Sequence, residues 1–527
     1  MRSLRVLRNV VTNYLRFFLA GAIAFVLTPF MVRHLGDRDY GLWVTLFSLT
    51  GYFGLFDQGI RPSLVRYVSR DHAAGDRDGL ARTISSAFAL YSVVAVVTMA
   101  VAMVVAVNAA SWIRLDASLY AIAPALVMVV GLSIALGFPL GVFGAVLSGL
   151  QRYDIANALG MIVGIVRALL FVVVLKMGGG LLALAWASLV MNVLGHAASW
   201  VYARRLLPGV GFGPQWVGRE HLRRIASYGG YAFIGALATN IAFQTDALVI
   251  TPILGAALVT PFALASGLVD NARTLVNSAA YVLAPTASEL DTLGQGDKLR
   301  LMLVAGSRYS VLVSWPVLFG LILFGPNLLT TWVGAKYATA GILLTVLAVP
   351  TMVALPQATA SSLLFGVSRH KGVVLLSILS AVLNLGLSLW WAHSPGLMAF
   401  LFGTALSPGL VGVAMGTAVP LFVVSGVATM VYACHALAQP FWRYFWDGML
   451  HPGLVSLAFV LPAWAVQRQW HPLGWLPILG SCAACWIVFA LIAWRFGISA
   501  SDRARWGQMV PGLFGRKPAL RVKGGRP

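Results

Sequence analysis

The feature that most constrains this chain is a succession of long apolar runs with few polar breaks between them. Nearly every segment stays apolar for about 18 residues or more, which is close to the length that a transmembrane helix needs. In hydrocarbon, only helices and closed β-barrels satisfy every backbone hydrogen bond. The runs are continuous, whereas barrel strands alternate apolar and polar residues. The sequence therefore predicts an all-α integral membrane protein.

The apolar runs predict about fourteen transmembrane helices, arranged as two six-helix lobes and two additional C-terminal helices. Only 10% of the residues are charged, against about 25% in a typical soluble protein. We expect an N-terminal lobe at 1–215, a C-terminal lobe at 216–438, and two further helices with a basic tail at 439–527. The predicted spans are 10–32, 41–68, 83–107, 118–143, 154–175, 181–203, 227–251, 258–287, 307–325, 339–366, 372–392, 411–435, 451–467 and 474–494.

The basic residues are distributed unevenly between the loops, and this sets the predicted orientation. If the N-terminus is cytoplasmic, 28 of the 37 lysines and arginines fall on the cytoplasmic side and six on the opposite side. Cytoplasmic loops of membrane proteins carry such an excess. We therefore expect a multi-pass protein with both termini in the cytoplasm. The net charge of +21 then reflects topology, and no nucleic acid is expected as a partner.

An internal repeat is visible at an offset of 219 residues. Gly36 maps onto Gly255, and each follows a leucine and precedes a long apolar span. Gly75 maps onto Gly294, and each begins a Gly-x-x-Asp-x-Leu loop. Because six predicted helices precede the seventh, the two halves have the same orientation. This is the parallel type of repeat, which occurs in many transporters.

Charged residues inside the predicted spans are the candidate binding residues, because a charge in hydrocarbon is costly and usually faces a protein interior or an aqueous cavity. Asp57 and Arg61 are four residues apart in the second span, so they share a helix face and can pair. Asp270 and Arg273 are three apart in the eighth span, at the equivalent place in the second half. One interpretation is that these pairs only fix packing. The other is a cavity between the lobes, where Arg61, Arg273 and Arg16 attract an anionic group such as phosphate.

Two further charged residues within spans have less defined roles. Asp246 is a candidate for holding a coupling cation or a proton, but a packing role beside the neighbouring Asn240, Gln244 and Thr245 is an equal alternative. Arg167 is the weakest candidate, because a long side chain can reach towards the membrane surface.

No motif of an enzyme is present in the sequence. It contains no phosphate-binding loop of the Walker type, no Gly-x-Ser-x-Gly elbow and no His, Cys and Asp cluster with the spacing of a metal site. We therefore expect a protein that is not an enzyme and that needs no cofactor and no metal.

The sequence resembles bacterial polysaccharide flippases, over about residues 8–435. Their superfamily also holds multidrug–cation antiporters and lipid II flippases. The motifs that carry the resemblance are Asn13, Pro29-Phe30, Arg33-His34-Leu35-Gly36, Tyr40-Gly41-Leu42-Trp43, Phe56-Asp57-Gln58-Gly59-Ile60, Val65-Arg66-Tyr67, Gln244-Thr245-Asp246 and Leu254-Gly255.

The resemblance implies a function in surface-polysaccharide assembly. Such a flippase moves polyprenyl-pyrophosphate-linked oligosaccharide from the cytoplasmic to the outer leaflet of the cell inner membrane, by alternating access, for O-antigen, capsule or exopolysaccharide. The expected substrate-binding residues are Arg16, Asp57, Arg61, Asp270 and Arg273. The expected partners are the lipid-linked substrate, membrane lipids, and polysaccharide polymerase and chain-length proteins.

Three alternatives stay open. A cation-coupled multidrug antiporter would favour an acidic cavity, whereas the predicted cavity has more arginines than carboxylates. A membrane polymerase or glycosyltransferase of the same pathway would usually carry a large outer loop with catalytic residues, and the predicted outer loops are short. A lipid II flippase would use the same chemistry, so the sequence does not separate it from a polysaccharide flippase.

Overall fold

The computed structural model describes residues 2–112, 122–404, 406–498 and 503, and these residues form helices joined by short turns. The helices are α1 (Arg2–Ala73), α2 (Arg77–Trp112), α3 (Ala123–Gly149), α4 (Tyr153–Lys176), α5 (Leu181–Leu206), α6 (Arg219–Leu254), α7 (Val259–Tyr281), α8 (Leu283–Thr292), α9 (Gly296–Trp332), α10 (Gly341–Ala354), α11 (Gln357–Gly366), α12 (Lys371–His393), α13 (Gly396–Phe402), α14 (Pro408–Ala436), α15 (Phe441–Trp470) and α16 (Trp475–Gly497).

The predicted all-α membrane architecture is confirmed, whereas a count of fourteen spans is not. Each predicted span coincides largely with helix, but among the described residues eleven helices are long and apolar enough to cross a membrane. One of the eleven, Val11–Tyr52, covers nearly all of the first predicted span and part of the second. Its 42 residues would extend about 63 Å, roughly twice the thickness of the hydrocarbon layer. Two further predicted spans, 227–251 and 258–287, coincide with α6 and with α7 and α8, and part of each lies outside the residues whose side chains the structure describes.

Helix α1 is divided at Gly36, where the backbone leaves the helical conformation at φ 78° and ψ 173°. Glycine adopts a positive φ readily because it has no β-carbon. The break separates a first segment, residues 2–35, from a second segment, residues 37–73; we refer to them as α1a and α1b. The two segments correspond to the first two predicted spans, so a single residue replaces the loop that we expected between them.

The internal repeat is present in the backbone geometry. Gly255 ends α6 with φ 97° and ψ 151°, close to the conformation of Gly36, and Gly75 and Gly294 have φ angles of 70° and 67°. The helix boundaries are related by the same offset of 219 residues. Helices α1 and α8 end at residues 73 and 292, and α2 and α9 begin at residues 77 and 296. The repeat predicted from a few matching residues is therefore confirmed by the shared turn conformations.

The contacts of the chain group it into two packing units, each discontinuous in sequence. Unit 1 contains the described residues up to Asn271, together with Trp332–Leu347 and Val374–Ser425. Unit 2 contains Ala272–Thr331, Ala348–Val373 and the described residues from Gly426 onward. The division into lobes at 1–215, 216–438 and 439–527 concerns sequence equivalence, and it stays a prediction.

The core of unit 1 fixes α1b against α2, α3 and α5. Leu64 and Val68 of α1b are fully buried together with Tyr91 of α2. A β-carbon on Gly149 of α3 would lie 2.7 Å from the Val68 side chain, so the two helices are in close contact there. The stretch of α1b just before this core carries the predicted pair of charged residues.

The core of unit 2 includes the two C-terminal helices. Tyr444 of α15 is fully buried, with its hydroxyl 2.7 Å from Ser307 Oγ of α9, and it donates to Gln357 Oε1 of α11 at 3.1 Å. A second apolar cluster joins α9, α15 and α16, with Phe324 and Phe489 among its members. Helices α15 and α16 are therefore packed into the core of this unit.

Candidate functional site

The predicted pair of Asp57 and Arg61 is present in α1b. Arg61 Nη1 lies 3.3 Å from Asp57 Oδ2, and the hydroxyl of Tyr91 donates to the other carboxylate oxygen at 2.7 Å. The side chains of Arg61 and Asp57 are 44% and 39% exposed, whereas Tyr91 is only 1% exposed. The carboxylate is thus anchored from the core by a tyrosine, and it holds a guanidinium group at an accessible position.

A glycine face of α3 lies beside this pair. A β-carbon at Gly137 or Gly141 would lie 3.8 Å from the imidazole ring of His196, and one at Gly144 would lie 3.8 Å from Arg61 Nη2. The three glycines therefore leave room for the two cationic or potentially cationic side chains. His196 was not foreseen from the sequence, in which its only signal is an ionisable residue within an apolar span.

Arg16 lies on α1a and is held by α4. Its Nη1 donates to Asn157 Oδ1 at 3.3 Å, and the amide nitrogen of Asn157 donates to Thr12 Oγ1 at 3.3 Å. A β-carbon on Gly160 would lie 3.0 Å from Arg16 Nε, so the guanidinium lies directly over this glycine. Arg16 is exposed, although Asn157 beneath it is buried.

A cavity of about 360 Å³ lies between α1 and α4 in unit 1. Arg16 and Arg167 both line it, and Tyr40, Trp43 and Phe171 contribute aromatic walls. No aspartate or glutamate is among the described residues that line this cavity. Arg167, the weakest of the sequence candidates, therefore shares a cavity with one of the strongest.

Asp246 is buried in a polar cluster formed by three helices of unit 1. Its carboxylate, only 6% exposed, accepts a hydrogen bond of 2.8 Å from Thr417 Oγ1 of α14. Asn384 of α12 in turn donates to Thr417 Oγ1 at 2.9 Å. Thr245, the neighbour that we expected to take part in packing, is hydrogen-bonded to the hydroxyl of Tyr52. The partners Thr417 and Asn384 were missed from the sequence, because nothing in it indicates which helices contact α6.

The remaining candidates, Asp270 and Arg273, lie on α7. The boundary between the two packing units falls between them, after Asn271. Arg273 Nη2 donates to Thr351 Oγ1 at 2.9 Å within unit 2. The pairing of Asp270 with Arg273, and the cavity shared by Arg16, Arg61 and Arg273, stay predictions.

Comparison with solved structures shows that the fold is similar to those of transporters of the MOP superfamily. An inward-facing multidrug resistance MATE family transporter is 17% identical, with 80% of this chain and 94% of that chain covered and a TM-score of 0.62. The lipid II flippase MurJ in an inward closed conformation is 12% identical, with 93% and 98% covered and a TM-score of 0.64. A MOP superfamily transporter from Pyrococcus furiosus is 14% identical, with 83% and 94% covered and a TM-score of 0.52.

Comparison of the sequence gives a narrower result than comparison of the structure. No curated protein matches the chain. The family model described as polysaccharide biosynthesis protein matches residues 6–291, which is more than half of the chain and includes the turns at Gly36 and Gly255. This match shows that the chain belongs to the polysaccharide biosynthesis protein family, and its candidate membrane spans show a multi-pass membrane protein.

Proposed function

We propose that this protein translocates polyprenyl-pyrophosphate-linked oligosaccharide from the cytoplasmic to the outer leaflet of the cell inner membrane, by alternating access, for the biosynthesis of surface polysaccharide. The family match and the transporter fold support this function. The observation that carries it is the accessible guanidinium of Arg61, held in an apolar helix by a carboxylate that is itself anchored to a buried tyrosine.

The chemistry of the pair suits a pyrophosphate ligand. A guanidinium group carries five N–H donors in a planar fork that matches phosphate oxygens, and Arg61 uses its Nη1 in the ion pair with Asp57. When the substrate approaches, the guanidinium can turn from Asp57 to a phosphate, because the carboxylate keeps its hydrogen bond from Tyr91. The pair thus lowers the cost of a charge within the membrane while no substrate is bound.

Arg16 and Arg273 are the further arginines of this proposal. Arg16 donates to a neutral amide and Arg273 to a neutral hydroxyl, so each guanidinium is oriented by an uncharged group. We propose that the three arginines meet the pyrophosphate at different stages of translocation, with Asp57 and Asp270 as their acidic neighbours. The sugar would then cross through a hydrated path while the polyprenyl tail stays in lipid.

The test is a deletion strain complemented with single variants. We expect Arg61→Ala and Arg273→Ala to reach the membrane at wild-type levels while lipid-linked oligosaccharide accumulates on the cytoplasmic leaflet and surface polysaccharide is lost. The control is Arg300→Ala, because Arg300 forms an exposed ion pair with Asp297 at 2.5 Å in the first turn of α9. Such pairs contribute little to stability. Normal polysaccharide display by both Arg61→Ala and Arg273→Ala would overturn the proposal.

The same strain separates the alternatives. Dye efflux without any change in surface glycan would identify a multidrug antiporter. Rescue of a strain that lacks its lipid II flippase would identify lipid II as the substrate. Polymerisation of sugar repeats by the purified protein, without transport, would identify an enzyme of the same pathway.

We also propose that Asp246 holds the coupling ion, either a cation or a proton. The support is a buried carboxylate beside a hydroxyl: Thr417 Oγ1 donates to it, and the carbonyl oxygen of Val413 lies 3.4 Å from that hydroxyl. Hard cations such as sodium favour a set of oxygen ligands. An ion here would neutralise the carboxylate and so change the contacts among α6, α12 and α14.

The test of this coupling uses proteoliposomes with an imposed sodium or proton gradient. We expect Asp246→Asn to lose the acceleration of transport by the gradient but to keep substrate binding, because Asp246 is not among the proposed binding residues. Thr417→Val should weaken the dependence on the ion in the same direction. Gradient-driven transport at wild-type rate in Asp246→Asn would exclude this residue as the coupling site.

A further inference from the structure

We propose that the cavity between α1 and α4 binds the phosphate part of the lipid-linked substrate, with Arg16 and Arg167 as two successive contacts. This inference rests on the proposed function, and it adds a residue that no motif singled out.

The two arginines enter the cavity at different levels. Gly160 faces the guanidinium of Arg16, whereas Gly164 faces Ile23, with a β-carbon there 3.8 Å from Ile23 Cδ1. Residue numbers therefore increase in the same direction along both helices. Arg167 lies seven residues beyond Gly160, which corresponds to about 10 Å along α4. An anionic group that leaves Arg16 would meet Arg167 about two helical turns further on.

The charge of the cavity requires an anion. Two guanidinium groups line it, and the described lining residues include no carboxylate. Arg16 donates its hydrogen bond to the amide oxygen of Asn157, and this neutral acceptor orients the cation without neutralising it. A cation in apolar surroundings is costly unless an opposite charge accompanies it. Phosphate oxygens would provide that charge, with the bidentate geometry that arginine favours.

The walls indicate that the anion belongs to a lipid. Apart from the arginines, the lining is almost entirely apolar, with Leu19 and Leu27 on one side and Phe171 on the other. Large apolar side chains on the same two helices are exposed, among them Phe18 of α1 and Leu169 of α4. A membrane lipid can therefore reach the cavity laterally. A volume of about 360 Å³ is at the lower end for ligand sites, which suits phosphates with their adjoining groups rather than a whole oligosaccharide.

The test is a binding measurement on the purified full-length protein in detergent, with polyprenyl pyrophosphate as the probe and phosphatidylglycerol and inorganic pyrophosphate as competitors. We expect Arg167→Ala to weaken binding of the polyprenyl pyrophosphate by about tenfold or more, as for the loss of one charge-assisted hydrogen bond. Arg167→Lys should retain part of the affinity, because it keeps the charge without the planar fork. The control is Lys176→Ala, which removes an exposed cation from the end of the same helix.

A second variant tests the position of Arg16 without removing its charge. In Gly160→Ala the new β-carbon would lie 3.0 Å from Arg16 Nε, so the guanidinium has to move and affinity should fall. Gly386→Ala is its control, because a β-carbon at Gly386, also within a helix of unit 1, has no heavy atom within 4 Å.

The outcomes separate this inference from the proposed function. If the wild-type protein does not bind polyprenyl pyrophosphate, the proposed function fails. If the wild type binds it and correctly folded Arg167→Ala and Gly160→Ala bind equally well, only the inference is overturned. Equal competition by phosphatidylglycerol would mean that the cavity holds an ordinary membrane lipid, and this result too would overturn the inference.

Discussion

Gly41 packs against the backbone of Ala256 so closely that a β-carbon on Gly41 would lie 1.8 Å from the Ala256 carbonyl oxygen. Gly41 follows the break at Gly36, and Ala256 follows the equivalent turn at Gly255. The two repeat-related turns therefore contact each other within unit 1. Any side chain at position 41 would force the turns apart.

We predict that Gly41→Ala destabilises the protein by roughly 1–3 kcal/mol or more, because the clash involves backbone atoms that cannot rotate away. The measurement is thermal unfolding of the purified protein in detergent. Gly21→Ala is the control in the same helix, since a β-carbon there has no heavy atom within 4 Å. In a helix interior this control should be neutral or slightly stabilising. Equal melting temperatures for the two variants would contradict the close contact.

We predict that Tyr91→Phe lowers transport while leaving the fold intact. The change removes only the hydroxyl that donates to Asp57, and the carboxylate, which is 39% exposed, can accept a hydrogen bond from water instead. The ring keeps its stacking on Phe138, at 5.9 Å between centroids, so packing is preserved. Without this hydrogen bond, the Asp57 carboxylate should move with Arg61 and compete with the substrate for the guanidinium. Transport assays and a melting curve distinguish this outcome from a loss of stability, which would lower both.

We predict that transport depends sharply on the size of the side chain at position 144. Gly144→Ala should transport normally, because its β-carbon would lie at an ordinary contact distance of 3.8 Å from Arg61 Nη2. Gly144→Leu should displace the guanidinium and reproduce the loss of surface polysaccharide expected for Arg61→Ala. Both variants need to be present in the membrane at equal levels, as measured by immunoblot. Full activity of the leucine variant would show that the position of Arg61 is unimportant.

We predict that Asp37, just after the break in α1, stabilises unit 1 more than its exposed partner does. Its carboxylate accepts hydrogen bonds from Lys336 Nζ at 2.8 Å and from the Tyr337 hydroxyl, and Thr260 Oγ1 donates to its backbone carbonyl at 2.5 Å. Lys336→Ala should therefore cost about 1 kcal/mol or less, as for an exposed ion pair. Asp37→Ala should lower the melting temperature further, because it also removes the acceptor for the tyrosine. The reverse order would contradict this arrangement.

The helices could be predicted from the sequence because length and hydropathy act locally. The Asp57–Arg61 pair could also be predicted, since two residues four apart on one helix are neighbours whatever surrounds the helix. The repeat could be recognised because Gly36 and Gly255 occupy backbone conformations that favour glycine. The single-residue break at Gly36 was not foreseen, since hydropathy alone does not distinguish a short loop from a kink.

The contacts across helices could not be predicted. Asp246 and Thr417 are separated by 171 residues, and the periodicity of a helix shows which of its faces is polar but not which helix will face it. The same limit applies to Arg167, which the sequence places only within a span and the structure places on a cavity shared with Arg16. Most of the charged residues could thus be identified from the sequence, but the residues that contact them could not.

The buried contact between Tyr444 and Ser307 has a consequence for the synthesis of the protein. The two residues are 137 positions apart, so at about 5–20 residues per second roughly 7–27 s pass between their translation. During that interval α9 has been synthesised, but Tyr444 has not. Neither Ser307 of α9 nor Gln357 of α11 can therefore form its hydrogen bond to this tyrosine. We expect the core of unit 2 to form only after α15 has been synthesised. The nascent chain should therefore depend on membrane insertion factors until late in its synthesis.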